Sequence, residues 1–197
     1  MPRTARASVA HTWYHALNRG NRREAVFHKA ADYHAFVQDI AGAHARLPVD
    51  ILGYCLMPNH FHLILRTHTD GDLGRWILWL LMAHARRYHR HYHTSGHVWQ
   101  ERFKSQALLD DAAILACSVY VDLNPIRAGV AETPEQSEYT SGCDRIQSLP
   151  TTELSATASR QPLSVLLPAH LPIGGCWPVA SPRRDSWLCE LTLQALR

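Results

Sequence analysis

The feature that most constrains this chain is an alternation of polar and apolar side chains near its middle. His60 and His62 alternate there with Phe61, Leu63 and Leu65. Because residues two apart on a β-strand point to the same face, the pattern predicts a half-buried strand with both imidazoles on one face of a sheet. Two adjacent imidazoles can begin the coordination sphere of a divalent metal ion, although two surface histidines would show the same pattern.

The spacing of apolar residues on either side of this strand predicts an α+β fold. We expect four strands, at 13–19, 49–56, 60–66 and a last one ending near 108, and three helices, at 32–47, 72–93 and 110–123. The order strand, helix, strand, strand, helix, strand is that of a split β-α-β sheet, antiparallel and ferredoxin-like or RRM-like, with both helices on one face. The other face is expected to be free for a ligand, with the third helix beside it. Folds of this plan commonly present that face to single-stranded nucleic acid.

The 197 residues are enough for one medium domain and an appendage. We expect the domain at 1–149 and an irregular, partly disordered extension at 150–197, where six of the eleven prolines lie, with a short helix at 187–196. No apolar run is long enough to cross a bilayer, the start lacks a secretory signal, and the five cysteines show no paired spacing. These features predict a cytoplasmic protein without a disulfide framework.

Charge is unevenly distributed along the chain. Residues 1–108 contain 14 Lys or Arg and 7 Asp or Glu, whereas residues 109–149 contain 2 and 7. A basic body favours a polyanionic partner, although a solvated charged face has the same composition. Basic groups can contact phosphates while neighbouring aromatic side chains stack on unpaired bases. For Trp99, packing in the core is an equally good explanation. The residues that we predict to bind nucleic acid are Arg19, Arg22, Arg23, Arg86, Arg87, Arg90, Trp99, Arg102 and Lys104.

A second polar pair follows 58 residues after His62. Tyr120 and Asn124 are four residues apart, so on a helix the phenol and the amide point the same way. A tyrosine beside a divalent metal can attack a phosphodiester and become covalently joined to the phosphate. Since Tyr120 stands in an apolar helix, packing is by itself the more ordinary explanation for it.

Three separated motifs occur in the order expected of one known family. They are Met57-Pro58-Asn59-His60-Phe61-His62, Trp99-Gln100-Glu101-Arg102-Phe103, and Tyr120-Val121-Asp122-Leu123-Asn124-Pro125-Ile126-Arg127-Ala128-Gly129. They resemble the signatures of single-tyrosine HUH transposases, and among these the REP-associated tyrosine transposases of bacteria. Three shorter segments, Met1-Pro2-Arg3, His15-Ala16-Leu17-Asn18-Arg19-Gly20 and Glu138-Tyr139-Thr140-Ser141, are also similar to that branch. The resemblance covers residues 1–142.

The resemblance implies a single-stranded DNA endonuclease and strand transferase that requires Mg²⁺ or Mn²⁺ and acts near hairpin-forming repetitive DNA. It implies that His60 and His62 are metal ligands and that Tyr120 forms a 5′-phosphotyrosine link, freeing a 3′-hydroxyl. It also implies Asn124 as a third ligand, at a position where relatives commonly carry Gln. Two imidazoles are a soft environment for Mg²⁺, so we expect Mn²⁺ or adventitious Zn²⁺ to bind more tightly in vitro.

The implied partner is a short DNA hairpin with an adjacent single-stranded tetranucleotide, read in part by arginines near the start of the chain. Such an enzyme would be associated with the bacterial nucleoid when bound. Relatives include monomers and domain-swapped homodimers. The short connection at 109–111 favours a monomer here.

Two other function classes remain open from the sequence. A non-catalytic binder of repetitive or single-stranded DNA, derived from a transposase, would need neither the histidine pair nor Tyr120. A zinc hydrolase would need a third strong ligand, for which only His68 and Asp70 are near, beyond the end of the strand. If Tyr120 is not a nucleophile, Tyr88 is the next candidate.

Overall fold

The computed structural model describes residues 8–148. Its centre is a four-stranded antiparallel sheet in the order β2-β3-β1-β4. The strands are β1 (Trp13–Arg19), β2 (Val49–Met57), β3 (His60–Thr67) and β4 (Lys104–Leu108), and the helices are α1 (Ala30–Arg46), α2 (Asp72–Tyr92), α3 (Asp111–Asp122), α4 (Asn124–Arg127) and α5 (Ser141–Ser148). The predicted α+β fold and its element order are confirmed.

Parts of the sequence-based predictions lie outside the described residues. These are the extension at 150–197, the short helix at 187–196 and the opening motif at 1–3. Within 8–148, none of the helices has the length and apolar character needed to span a bilayer.

The main core lies between one face of the sheet and the helices α1 and α2. Phe61, Leu63 and Leu65 of β3 all point to this face and are fully buried, as their alternation predicts. The core side chains of the two helices include Phe36, Ile40, Trp76, Ile77 and Leu80. Burial of each large apolar side chain contributes roughly 1.5–3 kcal/mol to folding, so this layer is the main source of stability.

A second, smaller core covers part of the opposite face. Cys117 and Val121 of α3 pack against residues that include Cys55 of β2 and Ile64 of β3. The third helix lies against this face, where we predicted it, and covers part of it. The cause is the composition of α3, which has no charged residue between Asp111 and Asp122 and so gains by burying one side.

The turn between β2 and β3 is fixed by the segment that follows β1. The backbone N–H of Gly20 donates to the carbonyl of Asn59 (2.7 Å), and the N–H of Val26 donates to the carbonyl of Pro58 (2.8 Å). Gly20 must be glycine because a Cβ there would lie 2.3 Å from the carbonyl oxygen of Glu24. This packing sets the position at which β3 begins, and therefore the position of its histidines.

One buried histidine makes the main core sensitive to acid. His84 is 3% exposed and packs edge-on against Phe27 and Phe36 and beside Trp99. Burial, with a smaller contribution from the charge of Arg87, lowers the pKa of His84 to about 3. In the unfolded chain the same imidazole takes up a proton near pH 6.5, so protonation favours unfolding, and stability falls as the pH drops below that value.

We therefore expect replacement of His84 by leucine to reduce the acid sensitivity of the fold. Between pH 6.5 and pH 5 the parent should lose on the order of 2 kcal/mol more unfolding free energy than His84→Leu, since about 1.5 pH units separate the two conditions. Urea denaturation at the two pH values measures the difference. The control is His97→Gln, which removes an exposed imidazole and should retain the parent's profile. Equal losses in His84→Leu and the parent would contradict the prediction.

Candidate functional site

His60 and His62 lie next to each other on the face of β3 that α3 covers. Their ring centres are 5.1 Å apart, and the ring planes are nearly perpendicular. Burial lowers the pKa of His60 to about 4 and the pKa of His62 well below its ordinary value, and the nearby charge of Arg19 acts in the same direction. Both imidazoles are therefore neutral at physiological pH, which is the form that can bind a metal ion.

The hydrogen bonds of the two rings determine which nitrogens remain available. His60 Nδ1 lies 2.6 Å from Oδ1 of Asn59, and because an amide oxygen only accepts, Nδ1 is the donor and the lone pair is on Nε2. His62 Nδ1 lies 2.9 Å from Nε2 of His15. The other nitrogen of His62, Nε2, is buried and has no hydrogen-bond partner among residues 8–148. Buried polar atoms are nearly always paired, so this nitrogen has the properties of an empty ligand position.

Helix α3 brings Tyr120 to the same place. The centre of its ring lies 5.6 Å from that of His62, and the two rings are perpendicular. Asn124 is buried at the start of α4, and its side chain hydrogen-bonds both His60 and Tyr120. The structure therefore brings together the four candidates selected from the sequence, which are His60 and His62 of β3, Tyr120 of α3 and Asn124 of α4.

Two opposing effects act on the phenol of Tyr120. Burial is the larger effect and raises the pKa of Tyr120 above its ordinary value, whereas the guanidinium of Arg127 and the hydrogen bond from Asn124 act to lower it. The Cζ atom of Arg127 lies 5.5 Å from the centre of the phenol ring. Both neighbours therefore stabilise the phenolate, which is the nucleophilic form.

The sequence analysis did not assign a role to Arg127 or His15, although both belong to segments that it noted. Arg127 lies seven residues after Tyr120, a spacing that places two helical residues on one face and could have drawn attention to it. For His15 the available signal was alternation along β1, which places its side chain on the same face as that of Leu17. Because Leu17 pairs with His62 on the neighbouring strand, His15 lies on the face that carries the histidines. The sequence of either strand alone does not give this pairing.

The donor set suits a divalent ion but not a structural zinc. No group of three or more His, Cys, Asp or Glu within residues 8–148 is placed to hold a metal. His68 instead faces Asp50 at 3.5 Å, and Asp70 accepts a hydrogen bond from the backbone of Ala10, so neither supplies the ligand that a zinc hydrolase would need. Two imidazole nitrogens and one amide oxygen, with an unpaired Nε2 on His62, could hold a divalent ion with open coordination positions.

Several of the predicted DNA-binding residues lie around this site. Arg19 is paired with His60 across β1 and β3, and Lys104 of β4 is paired with Leu17 of β1, so both side chains belong to the sheet face of the site. Lys104 is exposed, as are Arg22 and Arg102 in the adjoining loops. We call Arg19, Arg22, Arg102 and Lys104 the basic rim. Arg23 is exposed beside it, and its carbonyl accepts a hydrogen bond from Asn59.

The basic residues of α2 lie in the other helical layer. Arg86 and Arg90 are exposed, whereas Arg87 forms a two-pronged ion pair with Asp39 of α1. Both terminal nitrogens of the Arg87 guanidinium are therefore hydrogen-bonded to Asp39 rather than directed to solvent. Tyr88, the alternative nucleophile, hydrogen-bonds His28 at 3.0 Å in this layer, on the sheet face opposite the histidine pair.

Trp99 is a core residue. It is 7% exposed, and its ring packs against Phe27, Phe36 and Phe61. Because the ring faces are covered by these neighbours, they are not available to stack on a base. The prediction that Trp99 binds DNA is corrected to a packing role.

Comparisons with known proteins identify the family. The family model described as "Transposase IS200 like" matches residues 8–124, and the chain belongs to this family. A Haemophilus influenzae protein that carries the name of a REP-associated tyrosine transposase is 26% identical over 105 residues, which are 48% of this chain and 59% of that relative. The match thus spans less than two thirds of the relative.

A solved structure shows the same fold. It is that of a REP-associated tyrosine transposase bound to a REP hairpin, which superposes with a TM-score of 0.61 at 18% identity. The superposition covers 75% of this chain and 86% of that one.

The end of α3 is held in position by α5. Asp122 forms an ion pair with Arg145 and accepts a hydrogen bond of 3.0 Å from the hydroxyl of Ser141. The same hydroxyl oxygen accepts a hydrogen bond from the N–H of Tyr54 on β2 (3.0 Å). Gly142 lies so close to Asp122 that a Cβ there would be 3.0 Å from its carboxyl carbon. Since Tyr120 and Asn124 flank Asp122, this network fixes the part of the helical segment that carries the site.

We expect Arg145→Met to lower the free energy of unfolding by about 1–3 kcal/mol, because it leaves the mostly buried carboxylate of Asp122 without its cation. The matched control is Arg75→Met, which removes an ion pair with Asp72 whose arginine side chain is 76% exposed and should cost less than about 1 kcal/mol. Urea denaturation of the two variants measures both changes. If Arg145→Met is no more costly than Arg75→Met, the ion pair does not hold α3.

Proposed function

We propose that this protein is a metal-dependent single-stranded DNA endonuclease and strand transferase whose nucleophile is Tyr120. The observation that carries the proposal is the convergence of Tyr120, Asn124 and the two histidines, with Nε2 of His62 left unpaired. Membership of the IS200-like transposase family supports the same reaction class.

The residues that would hold the ion are His60 and His62, through Nε2 of each ring, and Asn124 through its amide oxygen. We propose Mn²⁺ or Mg²⁺, with Mn²⁺ the better match to two imidazoles. When bound, such an ion polarises a phosphoryl oxygen and offsets the negative charge that develops on the phosphate.

The reaction proposed for Tyr120 is a transesterification. Its phenolate oxygen forms a bond to phosphorus, and the bond from phosphorus to the 3′ oxygen breaks. The phenol proton passes to solvent, and the 3′ oxygen takes up a proton to become a hydroxyl. Because the 5′-phosphotyrosine retains the energy of the broken ester, attack by another 3′-hydroxyl reverses the step and joins two strands.

Charges around the site favour this reaction and its substrate. Arg127 and Asn124 stabilise the phenolate of Tyr120, in opposition to burial. We propose that the basic rim, with Arg23 beside it, contacts the DNA backbone next to the cleaved phosphate, since cations on one face follow a phosphodiester chain. Arg86 and Arg90 would contact a more distant part of the same DNA. Arg87 could contact the DNA only if its ion pair with Asp39 were broken.

The DNA substrate that we propose is a hairpin with an adjoining single-stranded segment. Its support is the similarity in fold to the transposase whose structure was solved with a REP hairpin.

The direct test uses the full chain, Mn²⁺ and a pool of single-stranded hairpins labelled at the 3′ end. Cleavage through a 5′-phosphotyrosine attaches the labelled 3′ fragment to the protein, which denaturing electrophoresis detects. Tyr120→Phe removes only the hydroxyl, so we expect attachment to be lost while hairpin binding, measured by gel shift, is retained.

The matched control is Tyr88→Phe, which should attach DNA as the parent does. Attachment that persists in Tyr120→Phe would refute the nucleophile assignment. Binding by the parent without attachment or cleavage at any pH would favour a non-catalytic DNA binder.

We further propose that one chain forms a complete site and acts as a monomer. Tyr120 lies beside the histidines of its own chain, and α5 ties α3 to β2 of that chain. A domain-swapped homodimer would instead place the tyrosine helix of one subunit against the histidines of the other.

Mixing two inactive variants separates these arrangements. In a monomer, Tyr120→Phe mixed with His62→Ala should show no attachment, because each chain lacks one part of its own site. A swapped dimer with exchanging subunits would recover roughly a quarter to a half of the parent's attachment. Recovery in the mixture would therefore contradict the monomer.

A further inference from the structure

His15 is a buried polar residue beside the proposed site. It is 8% exposed and belongs to the middle of β1. Its Nε2 atom lies 2.9 Å from Nδ1 of His62, and the two ring planes are within 12° of parallel. No step proposed above uses this contact.

The contact contains one hydrogen, which can be on either ring. In the first arrangement His62 donates through Nδ1–H to His15, and the lone pair of His62 is on Nε2. In the second, His15 donates to His62, and the hydrogen of His62 is on Nε2. That nitrogen is buried without a partner among the described residues, so the first arrangement leaves an unpaired lone pair there and the second an unpaired N–H donor. Orphaned buried N–H groups are rarer in proteins than under-satisfied acceptors, which favours the first arrangement, and only the first leaves a lone pair that a metal ion can take up.

We propose that His15 is a positioning residue that holds His62 in its Nδ1–H tautomer, so that Nε2 is presented to the metal ion. This inference rests on the proposed function, since it requires a divalent ion at Nε2 of His62. Metal-binding histidines usually donate their second N–H to a carbonyl or carboxylate, and loss of that partner typically costs 10–100-fold in metal affinity. Here a neutral imidazole takes the place of the acceptor.

The geometry distinguishes His15 from a third ligand. Its Nε2 is directed at Nδ1 of His62, the nitrogen on the far side of the ring from the unpartnered one. His15, His60 and His62 also do not form a three-ligand cluster in the described part of the chain. His15 therefore acts on the metal through His62.

Two variants of the full chain test the role. His15→Phe keeps a flat ring of similar size and removes the acceptor, whereas His15→Gln keeps an acceptor in its amide oxygen. We expect His15→Phe to weaken Mn²⁺ binding about 10–100-fold, and His15→Gln to stay within about threefold of the parent. Electron paramagnetic resonance of free Mn²⁺, without DNA, gives both dissociation constants, and circular dichroism checks that each variant is folded.

A second readout does not depend on any variant. Long-range ¹H–¹⁵N correlation spectra of the metal-free parent report the tautomer of each histidine, and we expect His62 to carry its hydrogen on Nδ1. A hydrogen on Nε2 of His62 would overturn the proposal even if His15→Phe fails to fold. Equal Mn²⁺ affinity in the parent and a folded His15→Phe would also overturn it.

The failure of this inference can be distinguished from failure of the proposed function. If the parent binds Mn²⁺, His60→Ala does not and His15→Phe does, the metal site exists and only the role of His15 is refuted. A parent that binds no Mn²⁺ refutes both.

Discussion

The site depends on the packing of α3 against the sheet. Cys117 and Val121 bury themselves on β2 and β3, and this contact brings the phenol of Tyr120 to within 5.6 Å, between ring centres, of His62. Neither element could form the site alone, because the imidazoles are fixed by β3 and the phenol by the helix. The network of Asp122 with α5 then holds the end of α3. The apolar contact of α3 with the sheet therefore places Tyr120 beside the histidines, and the polar network keeps the helix end there.

The proposed centre is assembled from neutral donors surrounded by cations. Burial lowers the pKa of His15 and the pKa of His60 to about 4, so the rings stay uncharged at neutral pH. The charge of Arg19 acts on His60 and the charge of Arg127 acts on Tyr120, whereas the carboxylate of Asp122 is paired with Arg145. The site therefore carries positive charge, which suits the binding of a phosphodiester.

The sequence predicted those parts of the structure that depend on local periodicity. Alternation in β3 placed Phe61, Leu63 and Leu65 in the core, and the four-residue spacing of Tyr120 and Asn124 placed the phenol and the amide together. Features that depend on distant partners were not predictable in this way. The contact of His15 with His62 needs the register of two strands, and the pairing of Arg87 with Asp39 needs the packing of two helices. Trp99 was misassigned because an aromatic residue among basic ones has the same local pattern on a surface and in a core.

The most direct test of the central claim is to identify the residue that becomes attached to DNA. The parent protein would be incubated with Mn²⁺ and a hairpin pool, digested with nuclease and protease, and the peptide that carries a residual nucleotide sequenced by mass spectrometry. The account predicts one modified peptide with the nucleotide phosphate on Tyr120. Modification of Tyr88 or any other residue would contradict it, and so would cleaved DNA without a covalent adduct.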